Sequence, residues 1–223
     1  MAPERRTDPA ILHRAAGWMA LDKPAGWHSV AQRRSADEPS VEGWLRLHHP
    51  PQAALPEAGL VHRLDRGTSG ILVAAVDAMT HARLRESFGA DAAGGPAKTY
   101  LALVAPGIAS EGAFALYFTS RYEGSAKVTV QPRGAAGHLG RCRWRVLRRG
   151  GPADLVEVAL EGPGRRHQIR AGLAHLGHPL LGDVLYDGPP RAGGAALHAW
   201  RLTLDGVQLE SRPPADFTPG PTS

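Results

Sequence analysis

Residues 61–75 read Val-His-Arg-Leu-Asp-Arg-Gly-Thr-Ser-Gly-Ile-Leu-Val-Ala-Ala, and Asp65 among them is the side chain best placed to do chemistry. Its carboxylate stands between Arg63 and Arg66, ahead of a Gly-Thr-Ser-Gly turn and the apolar run 71–76. An acid at a loop tip, flanked by cations and leading into a buried strand, is a plausible functional group because loops on rigid scaffolds carry chemistry. Taken alone it is equally a surface ion pair, worth about 0–1 kcal/mol, or a simple turn.

Two other stretches hold residues of similar interest. Gly164-Arg165-Arg166-His167-Gln168-Ile169-Arg170 opens a segment, 165–176, with helical spacing. Ile169, Leu173 and Leu176 form its apolar stripe, Gly177 stops it, and Arg170 lies off the stripe. Ala97-Lys98-Thr99-Tyr100-Leu101 begins a strand. Considered locally, a strand Tyr commonly does no more than pack, and Arg170 reads as a surface residue. His167, His175 and His178 lie close together, but no nearby acid completes a recognisable metal-site spacing, so no metal is expected. The lone Cys142 rules out an internal disulfide and a cysteine-cluster zinc site, and fits a reducing, cytoplasmic setting.

The elements that position these residues follow from periodicity. A short strand at 19–21 runs into the turn Asp22-Lys23-Pro24-Ala25-Gly26, and 31–39 is a polar loop. Ser40 caps a helix through Leu47, ended by His48-His49-Pro50-Pro51. Residues 77–88 are helical, with Leu84 and Phe88 four apart and Gly89 as the stop, and 90–96 form a small-residue loop. Strands are predicted at 71–76, 99–104, 114–119, 127–130, 141–147, 155–160 and 197–204. In 141–146, Cys142, Trp144 and Val146 alternate with Arg141, Arg143 and Arg145, which gives one buried face and one basic, wet face. That face, extended by Arg148 and Arg149, either touches RNA or is simply solvated. Strands with few helices between them indicate an α+β fold on a largely antiparallel sheet.

The 223 residues suit one domain; 43% are hydrophobic and 21% charged, and no apolar run approaches the ~20 residues of a membrane span. Residues 1–9 lack the apolar segment of a secretory signal. The net charge of +5 and pI near 9.9 suit a polyanionic partner, with RNA the natural candidate.

Five segments in order resemble the RluA family of pseudouridine synthases, from about Trp18 to Phe217. They are Leu21-Asp22-Lys23-Pro24-Ala25-Gly26, the His-Arg-Leu-Asp stretch ending at Asp65, Ala97 to Leu101, and Gly164 to Arg170 continuing through Leu176-Gly177-His178-Pro179-Leu180-Leu181-Gly182-Asp183. Leu197-His198-Ala199-Trp200-Arg201-Leu202 closes the series. The resemblance implies a mixed, largely antiparallel sheet flanked by helices around a central RNA-binding cleft. It implies residues 1–12 as an extension, 13–217 as the catalytic domain, and 218–223 as a disordered tail. It is to a short form, without the additional N-terminal RNA-binding domain of many relatives.

It further implies that uridine in a structured RNA, a ribosomal or transfer RNA stem-loop, is isomerised to pseudouridine. The N1–C1′ bond breaks, the uracil turns, and C5 joins C1′, with no redox change and hence no cofactor. Asp65 is then the nucleophile, attacking C1′ or C6. Such a carboxylate must stay ionised while shielded from water, and a guanidinium lowers its pKa by ~1–3 units. Arg170 is the implied partner. Tyr100 stacks on the uracil and is a candidate for the C5 proton, directly or through water. Extruding a stacked uridine costs a few kcal/mol, and Arg63 is the implied wedge. His62, Arg66, Lys98, Arg165, Arg166 and His167 are the remaining expected RNA contacts, His62 chiefly as a loop-fixing hydrogen bonder. The expected protein is a monomer without membrane or metal partners.

Two departures bear on substrate identity. The 90–96 loop lacks basic residues, and Gly172 inside the helix costs about 1 kcal/mol against Ala. Two rivals stand beside this reading: a non-catalytic RNA-binding or RNA-chaperone protein of the same fold, and an aspartate-dependent glycosidase. The second normally wants another carboxylate, and none accompanies the motifs convincingly.

Overall fold

The computed structural model describes residues 8–32, 37–89, 95–120, 122 and 124–218. Parts of two expected loops (33–36 and 90–94), residues 1–7 and the tail at 219–223 lie outside the described residues. Among the described residues the strands join in one ten-stranded sheet. They are β1 (Ala10–Ala15), β2 (Trp18–Lys23), β3 (Ser69–Ala75), β4 (Ala97–Val104), β5 (Glu111–Ser120), β6 (Val128–Gln131), β7 (Leu139–Gly150), β8 (Ala153–Glu161), β9 (Leu197–Leu204) and β10 (Val207–Glu210). Across the sheet they run β1-β2-β3-β9-β4-β8-β7-β5-β6, with β10 also on β9. Of these pairings only β3 with β9 is parallel. The helices are α1 (Val41–His48), α2 (Pro50–Ala53), α3 (Ala78–Phe88) and α4 (Gln168–His175). The fold is thus α+β, on a largely antiparallel mixed sheet.

β3 is buried along its whole length, which explains its unbroken apolar run. Ile71, Val73 and Ala75 pack on one face with Trp18, Ala20 and Leu84 of α3. Leu72 and Ala74 pack on the other with Met19, Leu21, and Val41 and Leu45 of α1. Both helices start where capping chemistry dictates: the Ser40 hydroxyl accepts from the Gly43 N–H and the Asp77 carboxylate from the Thr80 N–H. At the start of β3, Gly70 has φ +103°, and a Cβ there would lie 2.2 Å from the Ala199 carbonyl oxygen. Only glycine lets β3 run so close to β9.

The other half of the sheet has its own core, in which Phe114, Phe118, Cys142, Val156 and Val158 meet Ile169, Ala171 and Leu173 of α4. Gly172 finds its reason here. A Cβ on it would meet the Phe114 ring at 2.3 Å, so the helix gives up propensity in exchange for close approach to β5.

Four features differ from the sequence expectations. β1 begins at Ala10 and pairs with β2, so residues 10–12 of the expected extension belong to the sheet. β10 completes a hairpin with β9 that the pattern did not reveal. α4 starts at Gln168 rather than 165, because His167 has φ +54° and turns the chain just before the helix. The basic face of β7 is a ladder of ion pairs, since β8 supplies an acid opposite three arginines: Arg143 pairs with Glu161, Arg145 with Glu157 at 3.0 Å and Arg149 with Asp154 at 2.8 Å. Charges matched across a sheet favour the solvated reading of that face.

Candidate active site

The Asp65 loop reaches a cleft of about 1230 Å³, walled by the end of α3, by β4, by the turn before α4 and by the 182–185 segment. The loop is pinned on both sides of its carboxylate. The Ser29 hydroxyl accepts from the Leu64 N–H (2.9 Å) and donates to the Leu64 carbonyl (2.8 Å). The Arg66 carbonyl accepts from the Gly26 N–H (2.8 Å) and from Lys23 Nζ (3.3 Å). Lys23 is fully buried and also donates to the carbonyls of Trp27 (2.7 Å) and Pro24 (3.1 Å). Burial lowers its pKa to about 7, against the raising influence of Asp65. The Lys-Pro-Ala-Gly turn is therefore the cradle of the Asp65 loop.

Opposite stands Arg170, in the first turn of α4. Its Nη1 donates to Asp65 Oδ2 at 2.8 Å, while Nε and Nη2 grip Asp183 at 2.7 and 2.8 Å. Burial opposes the guanidinium charge, but the hydrogen bonds it donates to Asp183 and Asp65 outweigh it and raise the pKa. Asp183 is only 1% exposed, so the two-pronged contact orients Arg170 and leaves one prong for Asp65. His167 completes the arrangement, with Nε2 at 3.7 Å from Asp65 Oδ1 and Nδ1 at 2.8 Å from the Tyr186 hydroxyl. That hydroxyl accepts from the Val128 N–H at 3.0 Å. Tyr186 is buried, and its one acceptor among the described residues is His167 Nδ1, so it donates there. The imidazole proton then sits on Nε2, facing Asp65. Burial, followed by Arg170 and Arg166, holds the ring's pKa below its usual value.

Tyr100 lines the same cleft from β4. Burial, then the neighbouring Cys142 and Asp65, pushes its phenol above the usual range, so it is a neutral hydroxyl at physiological pH. The arrangement is a carboxylate with Oδ2 engaged by Arg170 and Oδ1 near the His167 ring, in a cleft that also holds an aromatic side chain. It suits nucleophilic attack on a planar substrate.

The pattern that defines the family described as RNA pseudouridylate synthase matches residues 17–175. The chain belongs to that family. Ribosomal large subunit pseudouridine synthase D of Pseudomonas aeruginosa is 33% identical over 222 residues, covering 89% of this chain and 66% of that protein. The protein of the same name from Escherichia coli is 32% identical over 162 residues, covering 72% and 47%. The chain thus spans two thirds or less of the length of these curated relatives. The solved structure of human RNA pseudouridylate synthase domain containing 1 shares the fold, with a TM-score of 0.68 at 23% identity over 98% of this chain and 88% of that one. The human domain containing 4 protein gives 0.66 at 24% identity, over 93% and 90%.

Among the family residues expected from sequence, Asp65, Arg170 and His167 meet directly, and Tyr100 shares their cleft. Arg63 and Arg66 stand exposed at the mouth, paired with Glu57 and Glu38. Arg165 Nε donates to the Leu139 carbonyl at 3.0 Å, and Arg166 Nη2 donates to the Ala126 and Ser125 carbonyls. Both arginines therefore brace the turn before α4 as well as lining the cleft. His62 is a loop-fixing group, as expected: its Nε2 accepts from the Val73 N–H at 3.1 Å and its ring stacks on Phe88.

The expectation that no second carboxylate accompanies the motifs is corrected by Asp183. Both its oxygens are committed to Arg170 in a dry site, which leaves it unsuited to the acid or base work of a glycosidase. Asp183 stood at the end of a quoted motif without a role, because an acid's burial has no signature in sequence. Tyr186 and the cradle formed by Lys23 and Ser29 were missed for the same reason. Among the described residues no helix is long and apolar enough to cross a membrane.

Proposed function

We propose that this chain is an RNA pseudouridine synthase that isomerises uridine in a structured RNA. The observation that carries the reading is the Asp65–Arg170 pair, 2.8 Å apart in a cleft that also holds Tyr100. Asp65 Oδ1 attacks the flipped nucleotide at C1′ or C6, and Arg170 keeps the carboxylate ionised as water is excluded. The uracil is held against Tyr100 while it turns, and the C5 proton leaves by way of the Tyr100 oxygen, directly or through water. Because that phenol is neutral, it acts as a relay: it takes up the C5 proton as its own proton passes, through water, to the N1 freed from C1′, so the count of protons is unchanged.

Arg63 releases Glu57 and fills the gap left by the extruded base. Arg66, Arg165, Arg166, His167 and Lys98 line the path of the RNA. The isomerisation has no net redox change, so the protein's own groups balance it without a cofactor. The substrate class is ribosomal or transfer RNA, and the names of the curated relatives favour ribosomal RNA of the large subunit. The protein acts in the cytoplasm as a monomer, its catalytic domain spanning 13–217 with β1 as an added edge strand.

The test is to incubate the purified protein with total RNA from a strain lacking its gene and to map pseudouridine base by base, with Asp65→Asn alongside. A new site made by the wild type and not by the variant supports the reading. Tight RNA binding by both proteins with no new site sinks it in favour of the RNA-binding alternative, and release of free uracil sinks it in favour of a glycosidase.

A further inference from the structure

Asp65 meets two side chains at the head of α4, Arg170 and His167, and one short segment, 183–186, holds both of them. Asp183 grips Arg170 through both its oxygens. Three residues on, Tyr186 is only 5% exposed, and no step of the isomerisation uses it. The segment is itself fixed: the Asp183 carbonyl accepts from the Tyr186 N–H at 3.0 Å and from the Gly188 N–H at 2.9 Å.

Tyr186 acts on a strained residue. His167 has φ +54° and ψ +21°, a left-handed conformation that a residue with a Cβ keeps only where its surroundings impose it. The Tyr186 hydroxyl lies 2.8 Å from Nδ1, and its ring stands edge-on to the imidazole with centroids 5.7 Å apart at 90°. Burial raises the Tyr186 pKa, against the Val128 N–H and Arg170, so the phenol is neutral at physiological pH. Its oxygen accepts from the Val128 N–H at 3.0 Å, and its hydrogen goes to Nδ1. Arg170 and Lys127 lie over the ring, 5.4 and 5.3 Å from its centre, and their charges strengthen the O–H as a donor.

The other states of the imidazole would each hinder Asp65. With its proton on Nδ1, the ring would turn the Nε2 lone pair toward Oδ1, acceptor against acceptor. With both nitrogens protonated, the carboxylate would face a second cation beside Arg170 and lose nucleophilic character. Burial, Arg170 and Arg166 oppose that cation, while Asp65 and Asp183 favour it. Among the described groups, the donor at Nδ1 is what chooses between the two neutral tautomers.

We propose that Tyr186 is a positioning residue: acting through His167, its hydroxyl presents an uncharged Nε2–H to Asp65 and keeps Oδ1 from meeting a lone pair or a second cation. The segment 183–186 thereby sets both neighbours of the nucleophile, Arg170 through Asp183 and His167 through Tyr186. The inference rests on the synthase reading and deepens it.

The test is Tyr186→Phe, which keeps the ring and removes the hydroxyl, studied beside His167→Gln and the double variant. In single turnover at saturating RNA, Tyr186→Phe is expected to slow isomerisation about 10- to 100-fold with RNA affinity unchanged. Losing a hydrogen bond made to the neutral ring raises the His167 pKa, so the acid side of the pH–rate profile should move to higher pH. Nitrogen-15 NMR of histidine-labelled protein, with the His167 signals assigned by their absence from His167→Gln, reads the tautomer directly. The wild type should carry the proton on Nε2 alone, and Tyr186→Phe should show both tautomers in exchange. In the double variant the Tyr186 change should add nothing to the loss caused by His167→Gln. A merely structural tyrosine lowers the melting temperature, leaves the profile and the tautomer where they were, and multiplies its loss with that of His167→Gln. An unmoved profile, an unmoved tautomer or multiplied losses would each overturn the proposal. The NMR measurement needs no turnover, so failure of the synthase reading is separate: it shows as the Nε2 tautomer, dependent on Tyr186, in a wild type that forms no pseudouridine.

Discussion

The arginines of β7 and the cations of the cleft look alike in composition and behave differently in space. Arg143, Arg145 and Arg149 are each paired with an acid on β8, so much of the charge of a run that is basic in sequence is matched in the fold. The cleft cations are divided among tasks. Arg170 spans two carboxylates, Arg165 and Arg166 give N–H groups to backbone carbonyls, and Lys98 and Arg85 line the wall. Charge available to a polyanion is thus set by what lies opposite each cation in the fold. The number of basic residues in a segment is a poor guide to it.

The sharpest way to break this contrast is to remove the cation with two partners. Arg170→Lys keeps the charge but cannot reach Asp65 and Asp183 together, and turnover is expected to fall by about 10²-fold or more, read in single-turnover assays at saturating RNA. Asp183→Asn attacks the same guanidinium from its buried side. Breaking a buried pair costs about 3–5 kcal/mol, so a clear loss in denaturant midpoint should accompany the drop in turnover.

Histidine 62 gives a smaller, pH-dependent effect. Burial, aided by Lys98, lowers its pKa to about 3 from the ordinary 6.5. Between those values the unfolded chain binds more protons than the folded one, so stability rises with pH across the window. His62 contributes fully above 6.5 and loses that contribution as pH falls toward 3. His62→Gln, which keeps an acceptor for the Val73 N–H, should flatten this part of the midpoint-against-pH curve. The smallest effect belongs to the β7 ladder. Arg145→Ala should shift stability by no more than about 0.5–1 kcal/mol and leave RNA affinity and salt slope unchanged. A loss of RNA binding there would erase the distinction between the two regions.

Much of this organisation was legible in the sequence because periodicity and capping are local. The buried run of β3, the Ser40 and Asp77 caps, the alternation of β7 and the placement of Arg170 off the apolar stripe of α4 all follow from neighbouring residues. The order of the motifs along the chain is what groups Asp65, Tyr100 and Arg170, since no local pattern links them. What stayed hidden depends on partners far along the chain. Glu157 and Glu161 give no sign in sequence that they neutralise β7, and Asp183 resembles any surface acid until its burial is known. The late start of α4 was concealed by one left-handed residue, His167, whose conformation holds the imidazole at Asp65.

The pairing of Asp65 with Arg170 joins residues 105 positions apart, and Asp183 lies farther along still. Contacts so distant in sequence form late, after the intervening loop has closed. Until the segment through Asp183 has been synthesised, the Asp65 carboxylate lacks both Arg170 and the acid that orients it, so the candidate site cannot exist on a chain that stops short of that point.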